Sequence, residues 1–148
     1  MQISETITVE APIERTYAAF ADLDRWPEIL PDTVGVDVMY FDGYNQEFTM
    51  TVERPGGLET VRGFRYCRAP LELEMIQTTP PPIMTRLSGV WTFAELPQGG
   101  TEVRVTRRFG LKSPEQGGPA ATEEQFAITL GTILRTNLEL FKEAVENE

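Results

Sequence analysis

The stretch Thr122–Glu148, TEEQFAITLGTILRTNLELFKEAVENE, decides the fold. Phe126, Leu130, Ile133, Asn137, Leu140, Phe141 and Ala144 recur at helical spacing on one side. Glu124, Arg135, Glu139, Lys142, Glu143 and Glu146 occupy the other. Thr122 with Gln125 three residues later is a capping-box pattern that opens this helix. One polar residue, Asn137, stands in the middle of the apolar seam. A sheet that wraps such a helix can enclose a cavity, and an amide aimed into it suggests a ligand site. An internal hydrogen bond to a backbone carbonyl is the ordinary alternative for a buried amide.

Upstream of the helix nearly everything reads as strand. Ile3–Val9 alternates apolar and polar residues. Pro12 then starts a short helix carrying Ile13, Tyr17 and Phe20, and Asp24–Leu30 reads as a second. Val34, Val36 and Val38 alternate up to a hairpin signal at Asp42-Gly43. Further inward rows are Phe48, Met50, Val52, then Leu71, Leu73, Met75, then Leu87, Gly89, Trp91, Phe93, then Val103, Val105, Phe109. Pro55-Gly56-Gly57, the prolines at 80–82 and Gly99-Gly100 separate them. Hairpin-type connections argue for an antiparallel sheet, so the class is α+β, with about seven strands and residues 1–148 forming one domain.

Two strands carry arginine on a candidate inner face. Arg107 goes inward with Val105 and Phe109. On Thr60–Arg68 one face holds Arg62, Phe64, Tyr66 and Arg68, the other Val61, Gly63, Arg65 and Cys67. Parity leaves the choice open; two aromatics against one valine favour the first set. An inward guanidinium must find an acceptor. A buried acid or a reach to solvent at the strand end would supply one as well as a ligand would.

The bulk numbers exclude several classes. A net charge of −10 over 148 residues argues against a nucleic-acid partner. No apolar run is long enough for membrane insertion and no leader pattern is present, so a cytoplasmic location is expected. A single cysteine, Cys67, precludes an internal disulfide or a multi-thiolate metal site. With no histidine at all, His-based triads, His metal ligands and the usual neutral-pH base are absent.

Ile7–Ala11 leading into Pro12, followed by Asp22-Leu23-Asp24-Arg25-Trp26-Pro27-Glu28, resembles the opening of the START/birch-pollen-allergen (Bet v 1-like, SRPBCC) superfamily. Gly89-Val90-Trp91-Thr92-Phe93, Gly99–Arg104 with Phe109, and Arg135–Glu139 resemble, within it, the bacterial polyketide aromatase/cyclases of the tetracenomycin type. That resemblance implies a helix-grip fold in which the sheet wraps the last helix around a deep pocket for a poly-β-ketone. It implies a polyketide cyclase/dehydrase, with Arg68 in the place of the chief catalytic arginine and Tyr66 as a second proton donor, since Thr33 stands near where relatives carry a tyrosine. Trp26, Phe64, Leu87, Trp91, Phe93, Val105, Arg107 and Asn137 would line the substrate site. No metal or redox cofactor is required, and an acyl carrier protein is the implied partner, with Arg104, Arg108 and Lys112 as candidate docking surface. A non-catalytic lipid, quinone or isoprenoid carrier of the same fold, or a regulatory domain with a filled pocket, are the competing readings.

Overall fold

Seven strands and three helices account for the chain, and the computed structural model describes residues 1–148 throughout. β1 (Gln2–Val9) leads through Pro12 into α1 (Ile13–Ala21). A single 3-10 turn and α2 (Trp26–Ile29) follow. Then come β2 (Thr33–Phe41), β3 (Asn45–Arg54), β4 (Gly57–Arg68), β5 (Glu72–Thr79), β6 (Met84–Glu95) and β7 (Thr101–Leu111). α3 (Glu123–Glu146) closes the chain. All strand pairs are antiparallel, in the order β1-β7-β6-β5-β4-β3-β2. The strand that begins the chain therefore crosses to the far side of the last, and the short helices carry the chain from one sheet edge to the other.

α3 begins where the capping box placed it. Thr122 accepts from the Gln125 backbone N–H, and the Gln125 side chain accepts from the Thr122 N–H at 2.8 Å. Its buried line is Leu130, Leu134, Leu138, Phe141 and Val145, with Phe126, Ile133, Asn137, Leu140 and Ala144 flanking it half-buried. The helix packs chiefly along β1. Arg135 donates to Glu5 at 2.6 Å and Lys142 to the Thr8 carbonyl at 2.9 Å, which ties its outer face to that strand. The core sits between the concave side of the sheet and the helices. There Phe20 stacks on Phe141 at 4.1 Å and Trp26 meets Trp91 edge-on at 6.0 Å. No helix is long and apolar enough to cross a membrane.

Two strands depart from the sequence expectation, and Leu71, expected on an inward row with Leu73 and Met75, lies exposed in the turn before β5. In β2 a register irregularity between Thr33 and Gly35 turns Thr33 inward and leaves Val34 exposed. In β4 the inward residues are Val61, Gly63, Arg65 and Cys67; Arg62, Phe64, Tyr66 and Arg68 face out. Pairing with both neighbours enforces this. Val61 lies opposite Met50, Gly63 opposite Phe48 and Cys67 opposite Leu73, all part of the core or its floor. Gly63 is the key residue: a Cβ there would stand 3.0 Å from the tip of the Phe48 ring, so the missing side chain makes room for that ring.

Candidate functional site

The inversion of β4 moves the arginine of interest. Arg68, expected in the pocket, is on the outer face with 47% of its side chain exposed, paired to Glu72 and more distantly to Glu74. Tyr66 is 45% and Phe64 39% exposed, next to Tyr44 and Ile76 on the same outer surface. These three are corrected: none of them reaches the interior. The guanidinium that does go inside β4 is Arg65, 1% exposed.

Arg65 is held from two sides. Its Nε donates to Gln46 Oε1 at 2.8 Å, and one terminal nitrogen donates to the Ala21 carbonyl at 2.8 Å. Gln46 in turn donates to Ala21 at 3.3 Å, so the C-terminus of α1 is clamped onto β3 and β4. The second terminal nitrogen, Nη1, is buried with no partner. The guanidinium lies 5.4 Å from the ring centres of both Trp26 and Trp91.

Arg107 faces inward as the sequence indicated, 8% exposed, with its guanidinium 4.3 Å over the Trp91 ring. Its one hydrogen bond is to the Thr106 carbonyl beside it, at 3.1 Å. Gly89 on the paired strand makes this possible: a Cβ there would fall 2.4 Å from Arg107 Nη1 and 2.9 Å from its Cδ. Burial and then the nearby charge of Arg65 push Arg107 down to about 9. Burial likewise lowers Arg65. Both remain cations at neutral pH.

A cavity of about 40 Å³ lies between sheet and helices, walled by Trp26, Leu30, Trp91, Val105, Arg107, Leu134, Asn137 and Phe141, among others. This is room for little more than a water molecule. A larger recess of about 260 Å³ opens between β2, β3 and the middle of α3, bordered by Thr33, Met50, Ile133 and Thr136. Trp26, Leu30 and Asn137 are common to both walls. The single deep pocket expected from the sequence is thus divided in this structure, and three side chains form the partition. Of the expected lining, Trp26, Trp91, Val105, Arg107 and Asn137 come together here. Leu87 and Phe93 are buried core; Phe93 packs edge-on against Tyr17 and Phe20. The Asn137 side chain makes no hydrogen bond within the protein and borders both recesses.

The reading of the sequence missed Arg65, Gln46 and Tyr17. The Tyr17 hydroxyl is buried without a hydrogen-bond partner, and burial pushes its pKa well up. Cys67, close to it, is pushed up by burial too and stays a thiol. The signal that could have found Arg65 was Gly63, two residues earlier on the same face.

A third concavity, about 620 Å³, lies on the opposite face of the sheet, where Phe64, Tyr66, Ile76 and Val90 meet Arg104 and Arg108. Arg108 donates to Gln2 at 2.8 Å. Lys112 follows β7 and lies outside this recess.

Comparison with known proteins agrees with the architecture. A family model described as polyketide cyclase / dehydrase and lipid transport matches residues 9–127. The chain is 32% identical over 122 residues to the granaticin polyketide synthase bifunctional cyclase/dehydratase of Streptomyces violaceoruber, a match covering 80% of this chain and 37% of that protein. Among solved structures it is similar to the Zhui aromatase/cyclase from Streptomyces sp. R1128, with a TM-score of 0.81 at 21% identity, covering 99% of this chain and 92% of that one. It is also similar to the di-domain ARO/CYC BexL from the BE-7585A biosynthetic pathway, TM-score 0.82 at 24% identity, covering 99% of this chain and 49% of that one. The chain therefore spans just over a third of the curated relative's length and about half of the di-domain structure's. The family match runs from the end of β1 across both short helices, the rest of the sheet and into α3, and the chain belongs to the polyketide cyclase/dehydrase and lipid transport family.

Proposed function

We propose that the chain binds a poly-β-ketone between sheet and α3 and catalyses its aldol cyclisation and dehydration to an aromatic ring. The observation that carries this reading is Arg107: a buried guanidinium on the wall of an apolar cavity, bonded once to its own strand and paired with no carboxylate. A structural arginine in such a place would tie separate elements together, as Arg65 does through Gln46 and the Ala21 carbonyl. An arginine that serves a guest's carbonyl oxygen needs its donors free.

The chemistry follows from that donor set. A methylene between two ketones loses a proton, its carbon attacks a carbonyl further along the folded chain, and the new oxyanion takes a proton from water. Loss of water then gives the ring. Arg107 and the Asn137 amide are placed to hold the oxygen on which charge grows, and a fixed donor of this kind is worth roughly 3–4 kcal/mol elsewhere. The walls of Trp26, Trp91, Val105 and Phe141 fold the chain so that the two carbons meet, a proximity term that can be larger still. Entry of a chain this size requires Trp26, Leu30 and Asn137 to move apart and join the two recesses. The carrier that delivers the chain would be acidic, and Arg104 and Arg108 on the outer sheet face offer it a basic, partly aromatic surface, with Lys112 at its margin.

The test is product analysis. The chain is incubated with a synthase that releases an unreduced poly-β-ketone, and wild type is compared with Arg107→Gln and Asn137→Ala. Wild type should direct one ring pattern, and Arg107→Gln should return the spontaneous mixture. Equal product distributions with and without wild-type protein would overturn the reading.

A further inference from the structure

Positive charge inside this fold is unanswered. Arg65 and Arg107 are both buried, and no carboxylate in the chain is. The other titratable groups facing them, Tyr17 from α1 and Cys67 from β4, are held neutral by burial. α3 offers Asn137 and apolar side chains, and α2 offers Trp26. The carboxylate that borders the outer recess, Asp32, is exposed to solvent. The interior thus has two cations and no buried carboxylate, and of the two it is Arg107 that stands on the cavity wall.

We infer that the site takes its guest as an anion: the β-diketone unit of the substrate binds as its enolate against the Arg107 guanidinium on the cavity wall, with its proton released to solvent. The inference rests on the cyclase reading and adds the ionisation state in which the guest is held. In this step one methylene C–H bond breaks, its electron pair spreads over the two flanking oxygens, and the proton leaves with buffer. The two oxygens of a β-diketonate match the planar fork of a guanidinium. Arg107 is set for it in advance, because Gly89 below and Trp91 on its face fix where it lies. An opposite charge at contact distance lowers an acid's pKa by about 1–3 units. The Arg107 cation in its apolar wall should therefore bring a β-diketone, which ionises with difficulty in neutral water, to its anion near neutral pH.

Benzoylacetone is a suitable probe, because its enolate absorbs at longer wavelength than its neutral form. It is titrated with wild-type protein across pH, and proton release is measured by calorimetry in two buffers of different ionisation enthalpy. The bound probe should titrate about 2 units below the free probe, with close to one proton released per molecule bound at neutral pH. Arg107→Gln should remove most of that shift, and Arg107→Lys, which keeps the charge, should retain most of it. A bound probe that titrates at its free value in wild type, or a shift left intact by Arg107→Gln, overturns the inference. Ring formation is scored separately. Directed cyclisation without enolate binding would sink this inference and leave the proposed function standing; enolate binding without cyclisation would do the reverse.

Discussion

Replacing Arg107 by methionine should make the protein more stable while abolishing the proposed directed cyclisation. The side chain is 8% exposed and has no acidic partner. Burial lowers its pKa from the usual guanidinium value to about 9, which at about 1.4 kcal/mol per unit bounds the cost of keeping the charge buried at about 5 kcal/mol. Against that stand the contact over Trp91, about 0.5–2 kcal/mol, and one bond to a backbone carbonyl, about 1.5–3 kcal/mol for a charged donor. Methionine keeps most of the packing over Gly89 and Trp91. The balance favours Arg107→Met by about 1–2 kcal/mol, in line with what replacing buried charges by apolar residues has given elsewhere. For a chain of this length that is a rise of about 2–8 °C in Tm. Urea and thermal unfolding followed by circular dichroism would measure it. A variant destabilised by more than about 1 kcal/mol would show that the arginine holds the fold together, and the reason for assigning it to a guest would be gone.

Other outcomes follow from the same geometry. Arg68→Ala should leave the urea midpoint close to that of wild type, as expected for an exposed ion pair, and should leave the ring pattern of the products as in wild type; loss of directed cyclisation would restore the role the family resemblance implied for it. Thr122→Ala removes half of the capping box of α3 and should cost about 1 kcal/mol in urea unfolding, whereas no change would mean the helix start is held by packing alone. Asp42 sits in the β2–β3 turn, where the Asn45 side chain, then the Asn45 and Tyr44 backbone N–H groups, hold its carboxyl well below the usual range. Its folded pKa is depressed, so its contribution is present above the unfolded value of about 4 and is lost as pH falls below it. Asp42→Ala should therefore lower stability at neutral pH and narrow its gap to wild type under strongly acidic conditions, and a gap independent of pH would contradict this.

How much of this was legible in the sequence depended on the kind of signal. The start of α3 is written locally in Thr122 and Gln125, and the side chains found there make both bonds of the box. β7 declares its inner face because Val103, Val105 and Phe109 outvote the polar residues between them, and Arg107 follows by parity. β4 offers no such vote. Its outer face carries Phe64 and Tyr66, which cluster with Tyr44 and Ile76 away from the core, while its inner face carries a glycine, an arginine and a cysteine. Hydrophobicity therefore points the wrong way on that strand. What fixes the face is the fit of Phe48 over Gly63, a contact between strands that no single-strand pattern contains. Val34 was misplaced for a related reason, since a local register irregularity in β2 resets the alternation and brings Thr33 inward instead. The partition of the interior by Trp26, Leu30 and Asn137 joins residues from distant parts of the chain, so it too lay beyond periodicity.

The most direct test of the central claim, that Arg107 is buried to serve a guest, is a crystal structure of the protein with bound benzoylacetone. A diketone oxygen should lie within about 3 Å of the Arg107 guanidinium, with Trp26, Leu30 and Asn137 drawn apart so that the two recesses become one. A probe found on the outer sheet face beside Phe64 and Arg108, with the interior around Arg107 still closed, would contradict it.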